Sequence, residues 1–185
     1  TRKQLQLPKQ YLLFVGNRAN YKQFPYTAQL AKAVELPLLI VGAPLTKQER
    51  KFLANLQVNY QERNFVANQE LQSYYSLATA LVYPSLYEGF GIPVIEAQRC
   101  GCPVIAYNAS SIPEVIGEDY PLLLSQLEIA PAAHWIHKLV TDSDFRNQIQ
   151  QKGIENSLRF SWEKMQEEYL SLYTQLWTMH CSIED

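Results

Sequence analysis

The sequence lacks long apolar runs. No stretch approaches the ~20 consecutive apolar residues of a membrane-spanning helix, and no signal peptide pattern opens the chain. An excess of positive charge is also lacking, since 16 Lys and Arg residues are scattered among 18 Asp and Glu residues, for a net charge of −2. This composition disfavours nucleic acid as a partner and indicates a cytoplasmic location. With 47% hydrophobic residues in 185, the chain can bury the core of a single domain.

Cysteine is scarce as well. The three cysteines, Cys100, Cys102 and Cys181, are an odd number in a chain long enough to fold without covalent cross-links, so we expect free thiols in a reducing compartment. Cys100 and Cys102 have C-x-C spacing without a second pair of ligands, which disfavours a metal or redox site. The D-x-D triplet at 142–144 falls in a helical region, where Asp142 is better explained as a helix N-cap. We therefore expect no metal site.

Short apolar runs alternate with helical patterns in the first two thirds of the sequence. Five continuous runs predict strands that are buried on both faces of a parallel sheet, and a weaker strand is predicted near 58–61. The runs are YLLFVG (11–16), LPLLIVG (36–42), ALVYPS (80–85), PVIAYN (103–108) and PLLL (121–124). Helix candidates lie between them at 25–34, 46–56, 68–77, 93–101 and 111–117. This order predicts a doubly wound, Rossmann-like α/β fold of about six parallel strands, with ligands at their carboxyl ends.

The pattern changes to helices alone after residue 125. Helices are predicted at about 127–140, 142–157 and 161–179, with Asp142 and Ser161 as N-caps of the last two. We therefore predict that 1–185 is one domain. It would comprise a core of about 10–125 and a helical tail of about 126–180.

The segment YEGFGIPVIEAQ (87–98) joins the fourth predicted strand to a helix. Gly89 and Gly91 allow the backbone to approach a ligand closely, and Pro93 suits the first helical position because it has no N–H to leave unpaired. The helix that follows points its free N–H groups and the positive end of its dipole at the turn. This arrangement predicts a cradle for a pyrophosphate.

Two glutamates bracket that turn. Glu96, expected in the first helical turn, could accept hydrogen bonds from a ribose diol, as the acidic residue of dinucleotide sites does. Glu88 precedes the turn and could reach sugar hydroxyls beyond the phosphates. Two surface carboxylates that interact only with the helix dipole are the alternative, and spacing alone leaves it open.

Three segments, in order, resemble the retaining nucleotide-sugar glycosyltransferases of family 4 (glycosyl transferases group 1), which have the GT-B fold. The segment 83–118, YPSLYEGFGIPVIEAQRCGCPVIAYNASSIPEVIGE, is similar to the longest family signature with its Glu-x7-Glu motif. FVGNRANYK (14–22) resembles the segment that supplies an arginine and a lysine to the donor phosphates, and FSWEKMQEEYLSLY (160–173) is similar to the C-terminal helix. The resemblance covers nearly the whole chain as the donor-binding, C-terminal half of a GT-B fold. It implies that the N-terminal acceptor domain is absent.

The resemblance also implies a catalytic set. Arg18 and Lys22, just beyond the first strand, would neutralise the diphosphate leaving group, and Glu88 would act beside them on the transferred sugar. No cofactor and no metal would be required beyond the nucleotide diphosphate sugar itself.

A donor-binding set follows from the same resemblance. It consists of Gly16, Val66, Glu88, Gly89, Phe90, Gly91, Ile92, Val94 and Glu96. The turn 88–91 would hold the sugar, the amides of 92–94 would face the phosphates, Glu96 would bind the ribose, and Val66 would offer its backbone to the base. The segment SSIPEV (110–115) would give structural support alone.

The function implied is transfer of a sugar from a GDP-mannose-like or UDP-sugar donor to an acceptor, with peripheral membrane association available through the missing half. Three alternatives stay open. The chain could be a non-catalytic nucleotide-sugar binding module or part of another GT-B enzyme such as an epimerase. It could also be a glycosidase that uses Glu88 and Glu96 as acid and base.

Overall fold

A computed structural model describes residues 2–181 of the chain and the side chains of residues 2–178. Six strands form one sheet: β1 (Leu12–Val15), β2 (Leu38–Val41), β3 (Tyr60–Arg63), β4 (Ala80–Tyr83), β5 (Val104–Tyr107) and β6 (Leu123–Leu124). Their order is β3-β2-β1-β4-β5-β6, and every neighbouring pair is parallel. The predicted six-stranded, doubly wound α/β fold is confirmed.

The strand order reverses between β1 and β4. From β1 the chain moves outward to β2 and β3, and it then returns to β4, beside β1, before continuing to β5 and β6. Leu12 therefore pairs with Leu38 on one side and with Ala80 on the other. In doubly wound sheets the loops after the two strands at such a switch point diverge and leave a crevice for a ligand. The loops that follow β1 and β4 are the ones this topology assigns to ligand binding.

Within residues 2–181, eight α-helices accompany the sheet: α1 (Phe24–Ala33), α2 (Lys47–Leu56), α3 (Asn68–Leu77), α4 (Ile92–Arg99), α5 (Ile112–Ile116), α6 (Ile129–Thr141), α7 (Ser143–Ser157) and α8 (Trp162–Cys181). Helix α1 contacts α2 and α6, whereas α4 contacts α3, α5 and α7. Right-handed crossovers between parallel strands place these two groups on opposite faces of the sheet. Strands β2 and β4 are buried along their whole length between the two layers, which explains why their sequences are continuous apolar runs.

The edge strand β3 departs from its predicted position. The sequence favours 58–61, whereas the strand runs from Tyr60 to Arg63 with Tyr60 opposite Leu38 of β2. Helix α2 ends before it with Gln57 in the left-handed backbone region (φ 56°). The Val58 N–H donates to the Leu53 carbonyl of α2 at 3.1 Å, so Val58 belongs to the helix end rather than to the strand. All four β3 residues are only half-buried because the strand lies at the sheet edge.

Helix α4 begins at Ile92, one residue earlier than predicted, so Pro93 occupies its second position. Gly91 is the N-cap with a φ of 106°, and a Cβ at this position would lie 2.9 Å from Cδ1 of Ile112. The positive φ and the close side chain both select glycine. The early start places Glu96 in the second turn of α4, which corrects the expectation that Glu96 lies in the first.

Side-chain caps begin the last two helices of the tail, as predicted. The Phe145 N–H donates to Asp142 Oδ1 at 2.9 Å, and the Lys164 N–H donates to Ser161 Oγ at 3.0 Å. Each cap satisfies one of the N–H groups that a helix start leaves unpaired. The role of Asp142 as a helix cap is confirmed.

Helix α8 differs from the other helices in its exposure. Every residue from 162 to 178 is exposed, including the large apolar side chains of Trp162 (75%), Tyr173 (65%) and Trp177 (71%). Within the described residues, no helix is both long and apolar enough to cross a membrane. Helix α8 thus presents apolar side chains that the rest of the described chain does not cover.

Candidate functional site

Two loops meet at the carboxyl ends of β1 and β4. The first follows β1 and contains a turn of 3₁₀ helix at Asn20–Lys22, which the sequence did not predict. The second follows β4 and leads into α4. The Leu86 N–H donates to the Tyr21 carbonyl at 2.8 Å, so the backbones of the two loops are joined directly. The structure therefore brings the FVGNRANYK and YEGFG segments together at the switch point.

Lys22 and Glu88 form a buried ion pair between these loops. Lys22 Nζ lies 2.5 Å from Glu88 Oε1, and the two side chains are 10% and 11% exposed. The ammonium group also donates to the Tyr83 hydroxyl at 3.1 Å. A buried charge is costly unless it is paired, so each side chain fixes the position of the other. Two of the three residues assigned to catalysis are thus in direct contact.

Arg18 has a different acidic partner. Its Nε donates to Glu49 Oε1 at 2.6 Å, and its Nη2 donates to the Pro44 carbonyl at 2.9 Å. The Arg18 side chain is 6% exposed. Its third nitrogen, Nη1, is buried without a hydrogen-bond partner among the described residues. Contacts with Glu49 and Pro44 therefore hold the guanidinium group, and Nη1 has no acceptor among the described residues.

Glu49 is a residue of this site that the sequence reasoning missed. Its Oε2 accepts from the Thr46 N–H at 2.7 Å, and the Glu49 N–H donates to Thr46 Oγ1 at 3.2 Å, which forms a capping box at the start of α2. Burial alone would raise the pKa of Glu49, but hydrogen bonds from Arg18 and Thr46 outweigh it and lower the pKa. The T-x-x-E pattern of residues 46–49 is the sequence signal that could have identified this cap.

Gly16 directly follows β1 and lies beside Gly42, which directly follows β2. A Cβ on Gly42 would lie 2.3 Å from the Gly16 carbonyl oxygen, so the two strand ends approach too closely for a side chain at position 42. At Gly16 the φ of 121° demands glycine, whereas a Cβ there would meet no atom within 4 Å among the described residues. The backbone at Gly16 is therefore open to a ligand from that side.

Two serine hydroxyls hold the glycine-rich turn. Ser110 Oγ donates to the Glu88 carbonyl at 2.8 Å, and Ser111 Oγ lies 3.0 Å from the Glu88 and Phe90 carbonyls. These contacts bear out the structural role predicted for 110–115. The position of a Cβ on Gly89 has no described atom within 4 Å, so the turn is open on that side.

The first amides of α4 differ in whether they already have an acceptor. The Val94 N–H donates to the Gly91 carbonyl at 2.9 Å, and Val94 is fully buried. The assignment of the Val94 amide to the phosphates stays a prediction. Pro93 has no N–H, so Ile92 is the residue of 92–94 that has an amide to offer.

Glu96 lies on α4, and the loop of Val66 leads into α3, which contacts α4. Glu96 is exposed on α4 and accepts from the Tyr75 hydroxyl of α3 at 3.0 Å. Burial, and then the Glu96 carboxylate, raises the pKa of Tyr75, so its hydroxyl remains a donor. Val66 is half-buried against the core in the loop before α3. Tyr75 is buried, and its contact with Glu96 was not predicted.

Two of the three cysteines lie at and just beyond the C-terminal end of helix α4. Cys100 and Cys102 are free, as expected, and burial raises the pKa of Cys102 to about 12, so it remains protonated at neutral pH. The side chain of Cys181 lies outside the described residues. In the described part of the chain, no group of three or more His, Cys, Asp and Glu side chains is placed to hold a metal ion.

Comparison with known proteins assigns the family. The family model "Glycosyl transferases group 1" matches residues 1–156. Over 113 residues the chain is 37% identical to O-antigen chain mannosyltransferase B of Escherichia coli, a match that covers 60% of this chain and 29% of that protein.

Two solved structures support the fold. The structure of Anabaena HepE in complex with UDP and glucose superposes with a TM-score of 0.80 at 18% identity, covering 94% of this chain and 51% of that one. The C-terminal domain of a glycosyl transferase group 1 family protein (LpcC) from Francisella tularensis superposes with a TM-score of 0.70 at 24% identity, covering 85% and 89%. The chain thus spans less than a third of the mannosyltransferase and about half of HepE. With a family match over most of its length, the chain belongs to the glycosyl transferases group 1 family.

Proposed function

We propose that this chain is the donor-binding half of a retaining glycosyltransferase and binds a nucleotide diphosphate sugar at the switch point. The observation that carries the proposal is the buried contact of Lys22 with Glu88. Glu88 lies in the loop that leads into the N-terminus of α4. A cation and a helix N-terminus suit a diphosphate, and a neighbouring carboxylate suits sugar hydroxyls. One site thereby holds groups for both parts of the donor.

The diphosphate would be bound by protein groups alone. Lys22, Arg18 Nη1 and the Ile92 amide supply positive charge and donors, and in the transfer step they would stabilise the charge that develops on the leaving diphosphate. The turn 88–91 would hold the sugar. We propose that no metal ion is needed, because these groups can donate hydrogen bonds to the phosphate oxygens directly.

The ribose and base would extend from the phosphates toward α3. Glu96, oriented by Tyr75, would accept from the ribose diol, and the loop of Val66 would meet the base. A mannosyl donor is favoured by the likeness to O-antigen chain mannosyltransferase B, and a uridine nucleotide by the likeness to HepE, whose structure contains UDP. The shared chemistry of both is a nucleoside diphosphate linked to a hexose.

The acceptor site would belong to another part of the protein. Relatives are longer than this chain, and the exposed apolar side chains of α8 are suited to pack against further protein. Closing such a second half over the donor would exclude water and position the acceptor hydroxyl.

We place the enzyme in the cytoplasm, with any membrane contact made by that second half.

A non-catalytic nucleotide-sugar binding module is the second candidate. The same buried pair and helix N-terminus would serve binding without transfer. Sugar transfer by the full-length protein to an acceptor separates the two, because a binding module would hold the donor unchanged.

Lys22→Ala and Arg18→Ala should each weaken binding of a nucleoside diphosphate while leaving binding of the free nucleoside nearly unchanged. Hydrogen bonds to charged groups contribute about 1.5–3 kcal/mol, so each Kd should rise roughly tenfold or more by isothermal titration calorimetry. Arg50→Ala is the matched control, because Arg50 pairs with Glu62 away from the two switch-point loops. Equal losses for nucleoside and diphosphate would show that these cations do not touch phosphate.

Glu96→Gln should weaken binding of a ribonucleoside diphosphate about tenfold and leave its 2′,3′-dideoxy analogue nearly unaffected. The substitution keeps an acceptor for Tyr75 but removes the charge that strengthens a bond from the ribose diol. Fluorescence or calorimetric titration with both ligands gives the ratio of their dissociation constants. If both ligands lose affinity alike, Glu96 stabilises the local structure through Tyr75 and does not bind the ribose.

Glu88→Gln should lower affinity for the nucleotide sugar without lowering affinity for the nucleoside diphosphate. The charge of Lys22 is then no longer neutralised by a carboxylate, which favours the phosphates, while the sugar loses a charged acceptor. Glu49→Gln is the control, since Glu49 pairs with Arg18 and is not assigned to the sugar. The ratio of the two dissociation constants should change for Glu88→Gln alone, and an unchanged ratio would remove Glu88 from the sugar site.

A further inference from the structure

Tyr83 is the last residue of β4, and the loop that follows it carries Glu88. Its side chain is buried (3% exposed), and its hydroxyl accepts from Lys22 Nζ at 3.1 Å. The centre of its ring lies 4.9 Å from the same nitrogen. Lys22 therefore meets both the hydroxyl and the ring of one tyrosine.

We propose that the Tyr83 hydroxyl is a positioning group that aims the Lys22 ammonium at the diphosphate of the donor. This inference rests on the proposed function of the switch-point site. Tyr83 would not itself touch the ligand. It would act through Lys22, and its effect would be confined to the affinity for phosphate groups.

The count of donors on Lys22 supports this role. An ammonium group has three N–H donors, and among the described residues Glu88 and Tyr83 accept two of them. With two directions fixed by the protein, the third donor points in one direction and is available to a ligand. Lysine has a long, flexible stem, so an anchor that fixes the side chain before binding reduces the entropic cost of ordering it.

The chemistry of a neutral phenol suits this position better than a second carboxylate would. Burial, and then the Glu88 carboxylate, raises the pKa of Tyr83, so the phenol keeps its proton at neutral pH. A neutral oxygen can accept from Lys22 without adding negative charge beside the diphosphate. Glu88 remains the charged partner of Lys22. Tyr83, at the end of β4, orients the Lys22 ammonium group.

Tyr83→Phe is the variant that tests the proposal. It keeps the ring beneath Lys22 and deletes the hydroxyl, so the Kd for a nucleoside diphosphate should rise about fivefold, the typical effect of one hydrogen bond, while the Kd for the nucleoside stays unchanged. In a Lys22→Ala background the same substitution should have no further effect, because its target is gone.

Tyr11→Phe is the matched control. The Tyr11 side chain is also fully buried, and its hydroxyl donates to the Tyr74 carbonyl at 2.6 Å, but Tyr11 precedes β1 at the amino end of the sheet. This variant should lose thermal stability like Tyr83→Phe and keep its affinity for the diphosphate.

Each contrary outcome has a distinct meaning. If Lys22→Ala weakens diphosphate binding and Tyr83→Phe does not, the role of Tyr83 is refuted and the proposed function stands. An equal loss from Tyr83→Phe in the wild-type and Lys22→Ala backgrounds, or an equal loss from Tyr11→Phe, would refute action through Lys22. If Lys22→Ala itself leaves diphosphate binding unchanged, the phosphate site is wrong and Tyr83 has no cation to position.

Discussion

The parallel pairing of β1 with β4 is the constraint on which the candidate site depends. Leu12 and Leu13 lie beside Ala80 and Leu81, although about seventy residues of chain separate them. Because this pairing reverses the strand order, the loops after β1 and β4 emerge side by side at one edge of the sheet. Every group assigned to the sugar and the phosphates lies on these two loops or on the helix that follows the second.

Electrostatic pairing then fixes the groups that topology has brought together. Lys22 pairs with Glu88 across the two loops, and Arg18 pairs with Glu49 of α2, so each cation has its own acid. Both pairs are largely buried, which makes loss of one partner costly and keeps the side chains in place before a ligand arrives. A preorganised site of this kind loses little entropy when it binds a charged ligand.

The fold could be predicted from the sequence almost completely, because buried parallel strands are continuous apolar runs. The position predicted for the edge strand β3 was too early in the sequence, because its half-buried residues, YQER, do not form an apolar run. Residues at the switch point were identified by a motif, but their contacts were not. The hydrogen bond from Lys22 to Tyr83 joins side chains 61 positions apart, and no local pattern contains it. The bond from the Val94 amide to the Gly91 carbonyl was not foreseen either, because helix α4 begins one residue earlier than the sequence indicates.

The central claim is that a nucleoside diphosphate binds between the loops after β1 and β4. Titration of the ¹⁵N-labelled chain with a nucleoside diphosphate, followed by the shifts of its amide resonances, tests this claim most directly. If the nucleoside diphosphate binds there, the largest shifts will fall on residues 16–22 and 88–96, with smaller ones near Val66. Shifts concentrated on α6 and α7, or no saturable shifts at millimolar ligand, would contradict it.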